Sequence, residues 1–264
     1  MTAERRPKPP IEDVRDFWDA NPLAAKAIDA EPGTAEFFLE YDRLRERNEP
    51  PPFARALHEY SAFRGKKVLE VGCGNAYTLA RYAEQGASVF GIDISSSAIA
   101  ISRKRFALLG LEGDFRAGNA ERLPYPDDFF DCICSMGVLH HVPDTPAAVA
   151  EIHRCLKPGG RVIVMMYYRN SIAYRLGFPL LARRSGRSVQ TVVNEVDGVG
   201  NPKGDVYSRS ELRTLFRDFV GLETSLHLFQ PWMLPGVGRF IPAFLWDALG
   251  RRFGWFIYLK GNKG

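Results

Sequence analysis

From Lys67 onward, short apolar runs alternate with segments of helical period. Lys67–Val71 (KVLEV) is stopped by glycines, Tyr77–Glu84 reads as a helix ended near Gly86, and 87–92 is a second apolar run. Residues 95–109 open with serines and stop at Gly110, which predicts another helix. Further runs fall at Asp114–Ala117 and 131–135. Asp144, Thr145 and Pro146 read as a helix start, and residues 157–160 (KPGG) as the turn out of it into a strand over 161–168. Ser208 and Glu211 have capping-box spacing, predicting a helix to about Phe219, with strands over 222–229 and 255–260. Seven runs that are apolar on both faces and alternate with helices describe a doubly wound α/β fold around a mostly parallel sheet.

Two regions stand outside the alternation. In residues 1–64, Phe17 and Trp18, then Phe37, Phe38, Tyr41 and Leu44, predict two amphipathic helices separated by Pro and Gly, and His58 falls in a further apparent helix. Residues 169–207 form an excursion too long for an unstructured connection, and excursions of this size tend to carry function. The expected organisation is an N-terminal helical cover (1–64), an α/β core (65–168), an inserted cover (169–207) and a segment completing the sheet (208–264). Residues 240–249 place Phe240, Ile241, Phe244, Leu245, Ala248 and Leu249 on one helical stripe. That stripe suits burial against the last strands, a partner or a membrane surface, and burial is the simplest reading.

Composition narrows the class. With 264 residues, 45% hydrophobic and 25% charged, the chain has ordinary globular usage, which excludes a disordered or fibrous protein. No uncharged apolar run approaches a membrane span, and the opening MTAERRPKPP lacks the apolar stretch of a signal peptide, so a cytoplasmic setting is expected. The four cysteines (Cys73, Cys132, Cys134, Cys155) show no zinc spacing, so neither metal nor disulfide is expected; Cys132 and Cys134 share one face of a strand as small hydrophobes. Charge is uneven: residues 1–60 carry 9 Lys+Arg against 13 Asp+Glu, residues 161–217 carry 10 against 4. Such asymmetry concerns partners and solubility more than fold.

The chemistry gathers at strand ends. Glu70-Val71-Gly72-Cys73-Gly74-Asn75-Ala76 sets glycines two apart between a strand and a helix, where the backbone must turn tightly or approach a ligand. Asp93 closes the second strand, 19 positions after Gly74, where a carboxylate can accept from both hydroxyls of a ribose. The dinucleotide fingerprint itself fails because Tyr77 stands where its third glycine belongs, which leaves NAD or FAD as an alternative to another nucleoside ligand.

Four motifs in order, EVGCGNA, GIDIS, GNAERLPYPDDFFDCICSMGVLHHVPD and EIHRCLKPGGRVIV, resemble the class I S-adenosylmethionine-dependent methyltransferases, in the branch acting on small molecules (methyltransferase type 11). The likeness covers about residues 67–168, and GWFIYLKGNK resembles the antiparallel last strand of that Rossmann-like sheet. The resemblance implies S-adenosylmethionine as cofactor. It implies that Glu70, Gly72, Cys73 and Gly74 line the methionine portion, that Asp93 holds the ribose and Ile94 packs on adenine, that Asn119, Ala120 and Glu121 meet the adenine edge, and that Ser135 and Met136 lie near the sulfonium. Two positions depart from the commonest pattern: Ala76 replaces a third glycine, and Asn119 an aspartate.

Displacing a methyl from a sulfonium leaves a neutral thioether, so alignment and exclusion of water supply most of the catalysis. If the acceptor must lose a proton, His140 and His141 beyond the fourth strand are the candidate bases, with packing of the loop as the alternative role. Most aromatics of the two excursions should pack the added helices; from them Phe17, Trp18, Tyr41, Tyr168, Tyr174 and Tyr207 are the candidate acceptor walls. Arg169, Arg175, Arg183, Arg184 and Arg187 could attract an anionic acceptor or membrane surface, or simply form a solvated face. The expected activity is methyl transfer to a small-molecule or lipid-like acceptor. Alternatives are an apolar-ring or quinone methyltransferase at a membrane, a nucleic-acid methyltransferase, a cofactor-binding module without turnover and an NAD-dependent hydride-transfer enzyme. Against nucleic acid stands Ser135-Met136-Gly137-Val138, where base methylators commonly carry Asp or Asn, two prolines and an aromatic.

Overall fold

The computed structural model describes residues 8–24 and 27–264; residues 1–7, on which part of the leader reading rests, and residues 25 and 26 lie outside the described residues. The chain opens with three helices: α1 (Ile11–Ala20), α2 (Ala35–Asn48) and α3 (Pro51–His58). The third was only partly legible because its start reads as a proline break. Proline is tolerated in a first helical turn, whose N–H groups have no intrahelical acceptor. Thr34 caps α2 by accepting the Phe37 N–H at 3.2 Å.

The core follows the sequence reading closely: β1 (Lys67–Val71), α4 (Tyr77–Glu84), β2 (Ser88–Asp93), α5 (Ser96–Leu109), β3 (Asp114–Ala117), β4 (Phe130–Met136) and α6 (Thr145–Cys155). Ser95 caps α5 by accepting the Ala98 N–H at 3.1 Å, and Gly110, at φ +65°, ends it. The expected turn over 157–160 lies inside a longer strand, β5 (Leu156–Tyr168). Leu156 already pairs with Phe130, and pairing resumes at Cys132↔Arg161, so the four residues KPGG bulge opposite Asp131. Lys157 Nζ closes that bulge with a 2.8 Å contact to Asp131 Oδ1.

Beyond β5 a π-helical turn (Ala173–Gly177) leads into α7 (Phe178–Ser185) and α8 (Val189–Asn194). A short strand, β6 (Val206–Tyr207), pairs parallel with Tyr167 and Tyr168; it is the eighth strand where seven were predicted. The capping box forms as its spacing predicts: Glu211 N–H donates to Ser208 Oγ at 3.2 Å and Ser208 N–H to Glu211 Oε2 at 2.7 Å. The helix it opens, α9 (Arg209–Leu215), is shorter than predicted because β7 (Phe219–His227) begins early. The stripe over 240–249 is not one helix. Pro242 interrupts it, leaving two short 3₁₀ turns and α10 (Trp246–Phe253), and Phe240 and Phe244 stand 72% and 80% exposed rather than buried.

β8 (Phe256–Lys263) runs antiparallel between β5 and β7, giving the order β3-β2-β1-β4-β5-β8-β7 with β6 beside β5. Strand order reverses between β1 and β4, which opens a crevice at their C-terminal ends. Period-two alternation divides the sheet's buried residues: Leu69, Val71, Ile133, Val162 and Val164 pack toward α6, while Val68, Cys132, Cys134, Ile163 and Met165 pack toward α4 and α5. Cys132 and Cys134 therefore share a face, as predicted.

Arg105 of α5 ties the N-terminal helices to this core. Nearly fully buried, it donates from Nε to Asn75 O at 2.8 Å and from Nη1 to Asp42 Oδ1 at 2.8 Å, with its guanidinium 4.3 Å from the Phe38 ring centre. Truncating Arg105 leaves the buried Asn75 carbonyl without that donor, at a cost of about 1–3 kcal/mol, and removes the cation from the Phe38 ring, worth about 0.5–2 kcal/mol. Arg105→Ala should therefore lower the unfolding free energy in urea by about 3 kcal/mol. Asp42→Ala should cost clearly less, because Asp42 is partly exposed and water can replace it; equal losses would mean that the ion pair, rather than the Asn75 bond and the Phe38 contact, carries the effect of Arg105.

Candidate active site

The crevice holds a pocket of about 840 Å³ counting its open mouth. Its floor is built by strand ends: Val71, Gly72 and Gly74 after β1, Ile92, Asp93 and Ile94 after β2, Gly118, Asn119 and Ala120 after β3, Met136, Gly137 and Val138 after β4. Its roof comes from the N-terminus, with Ile11, Val14 and Trp18 of α1 followed by Pro22 and Leu23. Asp19 pins the end of α1 to the start of α5: Ser97 N–H donates to its carboxylate at 3.2 Å and Ser95 Oγ at 2.8 Å. At the other end Lys8 pairs with Asp144 at the cap of α6.

The glycines are required by two different constraints. Gly72 sits at φ +75°, and a Cβ there would lie 2.2 Å from Val138 Cγ2. Gly74 also has positive φ, but a Cβ would meet only Leu23, at 3.5 Å, so the backbone lies open to a ligand. Ala76 adopts φ +58° with its methyl present, so a third glycine is dispensable for the shape of the turn.

Asp93 joins the two loops. Gly74 N–H donates to its Oδ2 at 2.9 Å and Ser95 N–H to its Oδ1 at 3.0 Å. Burial raises its pKa above the usual aspartate value, while those donors and the Ile94 N–H work against the shift. Each oxygen keeps lone-pair capacity toward the pocket that Asp93 lines.

Of the residues implied for the cofactor, Gly72, Gly74, Asp93, Ile94, Asn119, Ala120 and Met136 line the pocket. The side chains of the other four act from behind. Ser135 Oγ donates to Val71 O at 2.8 Å, Glu121 accepts the Asp144 N–H at 2.7 Å, and Cys73 Sγ lies buried 3.8 Å from Ser102 Oγ. Glu70 is buried beneath the glycine loop, bonded to Thr78, with Oε2 lacking a partner among the described residues. Asn119 Oδ1 accepts the Glu121 N–H at 2.9 Å, so only part of its acceptor capacity remains for a ligand.

Of the aromatics expected to wall the acceptor, only Trp18 reaches the pocket. Phe17 is buried beside it, Tyr41 packs on Tyr77, and Tyr168 lies in the core toward α6. Tyr174 lines a separate surface hollow with Ser188 and Gln190, and Tyr207 OH donates to Thr145 Oγ1 at 3.2 Å. These positions carry aromatic side chains for packing, which composition alone cannot distinguish from binding.

The two histidines separate. His140 is fully buried against the Tyr167 ring, outside the pocket, and both ring nitrogens lack partners among the described residues. Burial, then the neighbouring His141 and Lys203, holds its pKa well below the ordinary histidine value, so it is neutral. His141 lines the pocket. Its Nδ1 donates to Lys203 O at 2.5 Å, which places a proton on Nδ1 and leaves Nε2 as the basic nitrogen of the neutral ring. Nε2 lies 3.3 Å from Asp197 Oδ2, within ion-pair reach but off the hydrogen-bond line, and Tyr167 OH donates to the same oxygen at 2.6 Å. Nothing in the sequence pattern of 195–203 marks Asp197 or Lys203, and the roof residues Ile11, Val14, Pro22 and Leu23 read only as one face of a helix and its exit.

Residues 69–164 match the family described as methyltransferase domain. Over these residues the chain is similar to a methyltransferase domain. Over 120 residues it is 36% identical to a ubiquinone biosynthesis O-methyltransferase of Pseudomonas aeruginosa, covering 45% of this chain and 51% of that protein. The chain thus matches about half the length of such curated relatives. A possible histamine N-methyltransferase from Thermotoga maritima, described as SAM-dependent, superposes with TM-score 0.56 at 23% identity over 86% of this chain and 97% of its own. The [4+2]-cyclase SpnF superposes with TM-score 0.60 at 18% identity over 98% and 97%. The methyltransferase fold is shared with a protein named for a cyclisation, so fold alone does not specify the reaction.

Within the matched residues, burial pushes the Glu70 carboxyl up to about 8. Its protonated form suits the folded state, so its favourable contribution is complete below the unfolded value near 4.5 and is lost as pH rises through about 8. Glu70→Gln should therefore gain stability relative to the parent as pH rises between these values and level off above. Urea midpoints measured across that window check this; parallel curves for the two proteins would show that Glu70 is not buried as a neutral acid.

Proposed function

We propose that this protein transfers a methyl group from S-adenosylmethionine to a small, largely apolar acceptor that enters beneath α1. The observation that carries this reading is Asp93, whose oxygens each take one backbone N–H and keep capacity for a vicinal diol at the pocket wall. The open backbone at Gly74 and the apolar slot of Ile94, Ala120 and Val142 suit the remainder of such a nucleoside. In this reading Gly72 and Gly74 hold the methionine portion, Asp93 the ribose, Ile94, Asn119 and Ala120 the adenine, and Met136 faces the sulfonium. Glu70, Cys73, Glu121 and Ser135 position these loops.

Bound S-adenosylmethionine supplies a methyl already activated on a sulfonium, so the protein needs to align the acceptor, exclude water and take up a proton where one is lost. The α1 roof excludes water. His141 is the base we assign: the Lys203 carbonyl fixes its proton on Nδ1, Nε2 receives the acceptor's proton, and Asp197 stabilises the resulting imidazolium. An apolar-ring hydroxyl is the acceptor class favoured by the roof of Trp18, Val14 and Leu23 and by the likeness to ubiquinone biosynthesis O-methyltransferases. We place this chemistry in the cytoplasm, a reading supported by four buried, free thiols; among the described residues no helix is long and apolar enough to cross a membrane.

Calorimetric titration with S-adenosylmethionine, S-adenosylhomocysteine and NAD in parallel tests the cofactor. Binding of the first two without NAD is expected, and Asp93→Ala should weaken S-adenosylhomocysteine by about 1.5–3 kcal/mol, the worth of hydrogen bonds to a charged group. Unchanged affinity in the variant, or tighter NAD, would remove the assignment. His141→Ala should lose turnover of a phenolic acceptor while retaining S-adenosylhomocysteine affinity; full turnover would assign His141 to packing.

A further inference from the structure

The inserted helices and the segment before β8 fold together into one lobe at the C-terminal end of β5. The 173–177 turn presses on residues 231–233 so closely that a Cβ at Gly177 would lie 2.1 Å from Met233 O. Phe178 stacks on Trp232 at 6.2 Å and packs edge-on to Trp255 at 5.0 Å. The inward side is a well-filled cluster of Tyr167, Phe178, Met233 and Trp255.

The outward side is unlike the rest of the surface. Leu176, Leu180, Trp232, Val237, Phe240 and Phe244 are all exposed, Val237 at 60%, Phe240 at 72% and Phe244 at 80%. Solvated aromatics and leucines gathered on one lobe mark an interaction surface. Arginines are frequent in the same two segments: residues 169–194 contain five Arg and no acid, and residues 228–255 three Arg and one Asp. Arg169, Arg187 and Arg251 pair with Glu211, Glu195 and Asp247. Arg175, Arg183, Arg184, Arg239 and Arg252 are exposed and have no ion-pair partner among the described residues, and Arg239 lies 4.8 Å over the Phe240 ring.

We propose that this lobe docks on an anionic lipid bilayer, with Phe240, Phe244 and Val237 entering the headgroup boundary and the free arginines engaging lipid phosphates. Aromatic and aliphatic side chains at a tip, with Arg frequent in the same segments, match the two chemistries of such an interface. A second copy of this chain fits poorly, since a self-complementary contact would set these arginines against one another. A nucleic-acid backbone would use the arginines but leave the leucine and phenylalanine tip without a partner.

The lobe also adjoins the pocket: Tyr167, in its inner cluster, donates to the carboxylate that faces His141. Docking therefore places the lobe that adjoins the site at the lipid surface. That consequence for an apolar acceptor rests on the methyl-transfer reading, whereas the docking does not.

The test is co-sedimentation of the full chain with vesicles of phosphatidylcholine alone and of phosphatidylcholine with equimolar phosphatidylglycerol. The mixed vesicles should bind, roughly tenfold or more tightly than phosphatidylcholine alone, and binding should weaken with salt. Phe240→Ser with Phe244→Ser should abolish binding, and Arg183→Glu with Arg184→Glu should remove its salt-sensitive part. Both pairs should keep the parent's circular dichroism and its S-adenosylhomocysteine affinity, since these side chains are exposed and outside the pocket. Failure of the parent to bind mixed vesicles, or parental binding by the phenylalanine variant, overturns the proposal. Sedimentation velocity showing a parent dimer that the phenylalanine variant converts to monomer, without vesicle binding, gives the surface to a second copy instead. Loss of S-adenosylhomocysteine binding in the parent would count against the proposed function and leave the docking result standing.

Discussion

The site depends on a single carboxylate held at the end of β2, one strand away from the sheet's reversal point. Backbone pairing carries one step past β1, where the Gly72 and Cys73 N–H groups both donate to Ile92 O, and beyond that step the parallel ladder leaves the loop after β1 and the loop after β2 without a shared bond. Asp93 supplies that fixation by taking an N–H from Gly74 on one oxygen and from Ser95 on the other. Because those donors come from the backbone, the constraint survives substitution of most neighbouring side chains. It fails only if the carboxylate is lost, or if Gly72 is replaced and collides with Val138.

This arrangement concentrates acidity in a place that burial makes unfavourable. Glu70, Asp93 and Glu49 lie within one another's electrostatic influence, and Arg45, buried beside Glu49 at 2.8 Å, opposes the charge from below. The interior answers in two ways: Glu70 takes a proton, while at Asp93 three backbone N–H groups work against the upward shift that burial imposes. Neutral His140 and the His141–Asp197 contact repeat the division on the other side of the pocket, where one group is packed and its neighbour is wired to acceptors. In both pairs the adjacent residue in space or sequence does the structural work that leaves the other free for a ligand.

What could be read from the chain follows from the range of the forces involved. β1, α4 and β3 match their apolar runs residue for residue, and the Ser208 capping box forms as spaced, because period and capping are local. The glycine loop and Asp93 were legible for the same reason: strand-end chemistry is set by a few consecutive residues. The KPGG bulge was not, since it exists only because Leu156 finds Phe130 across the sheet. Nor could the sequence distinguish Trp18 from Tyr41 or Tyr168, as all three are aromatics on apolar faces and only tertiary placement turns one toward the pocket. Pro242 misled in the other direction. A stripe that satisfied helical period was cut by one missing N–H, and Phe240 and Phe244 were left outside.

The tether of α1 at both ends has a kinetic meaning. A ten-residue helix lies across the pocket, fastened through Lys8 to Asp144 and through Asp19 to the start of α5. Whatever fills the pocket adds apolar contacts to the underside of that helix, so the occupant helps to close the cover that retains it. An occupant wider than the open mouth leaves only when one end unfastens, and the Lys8 end is the weaker because its charge is more than half exposed and open to screening by salt. For such an occupant residence time is a property of the strap as well as of the floor, and ionic strength shortens it without touching any group that lines the floor.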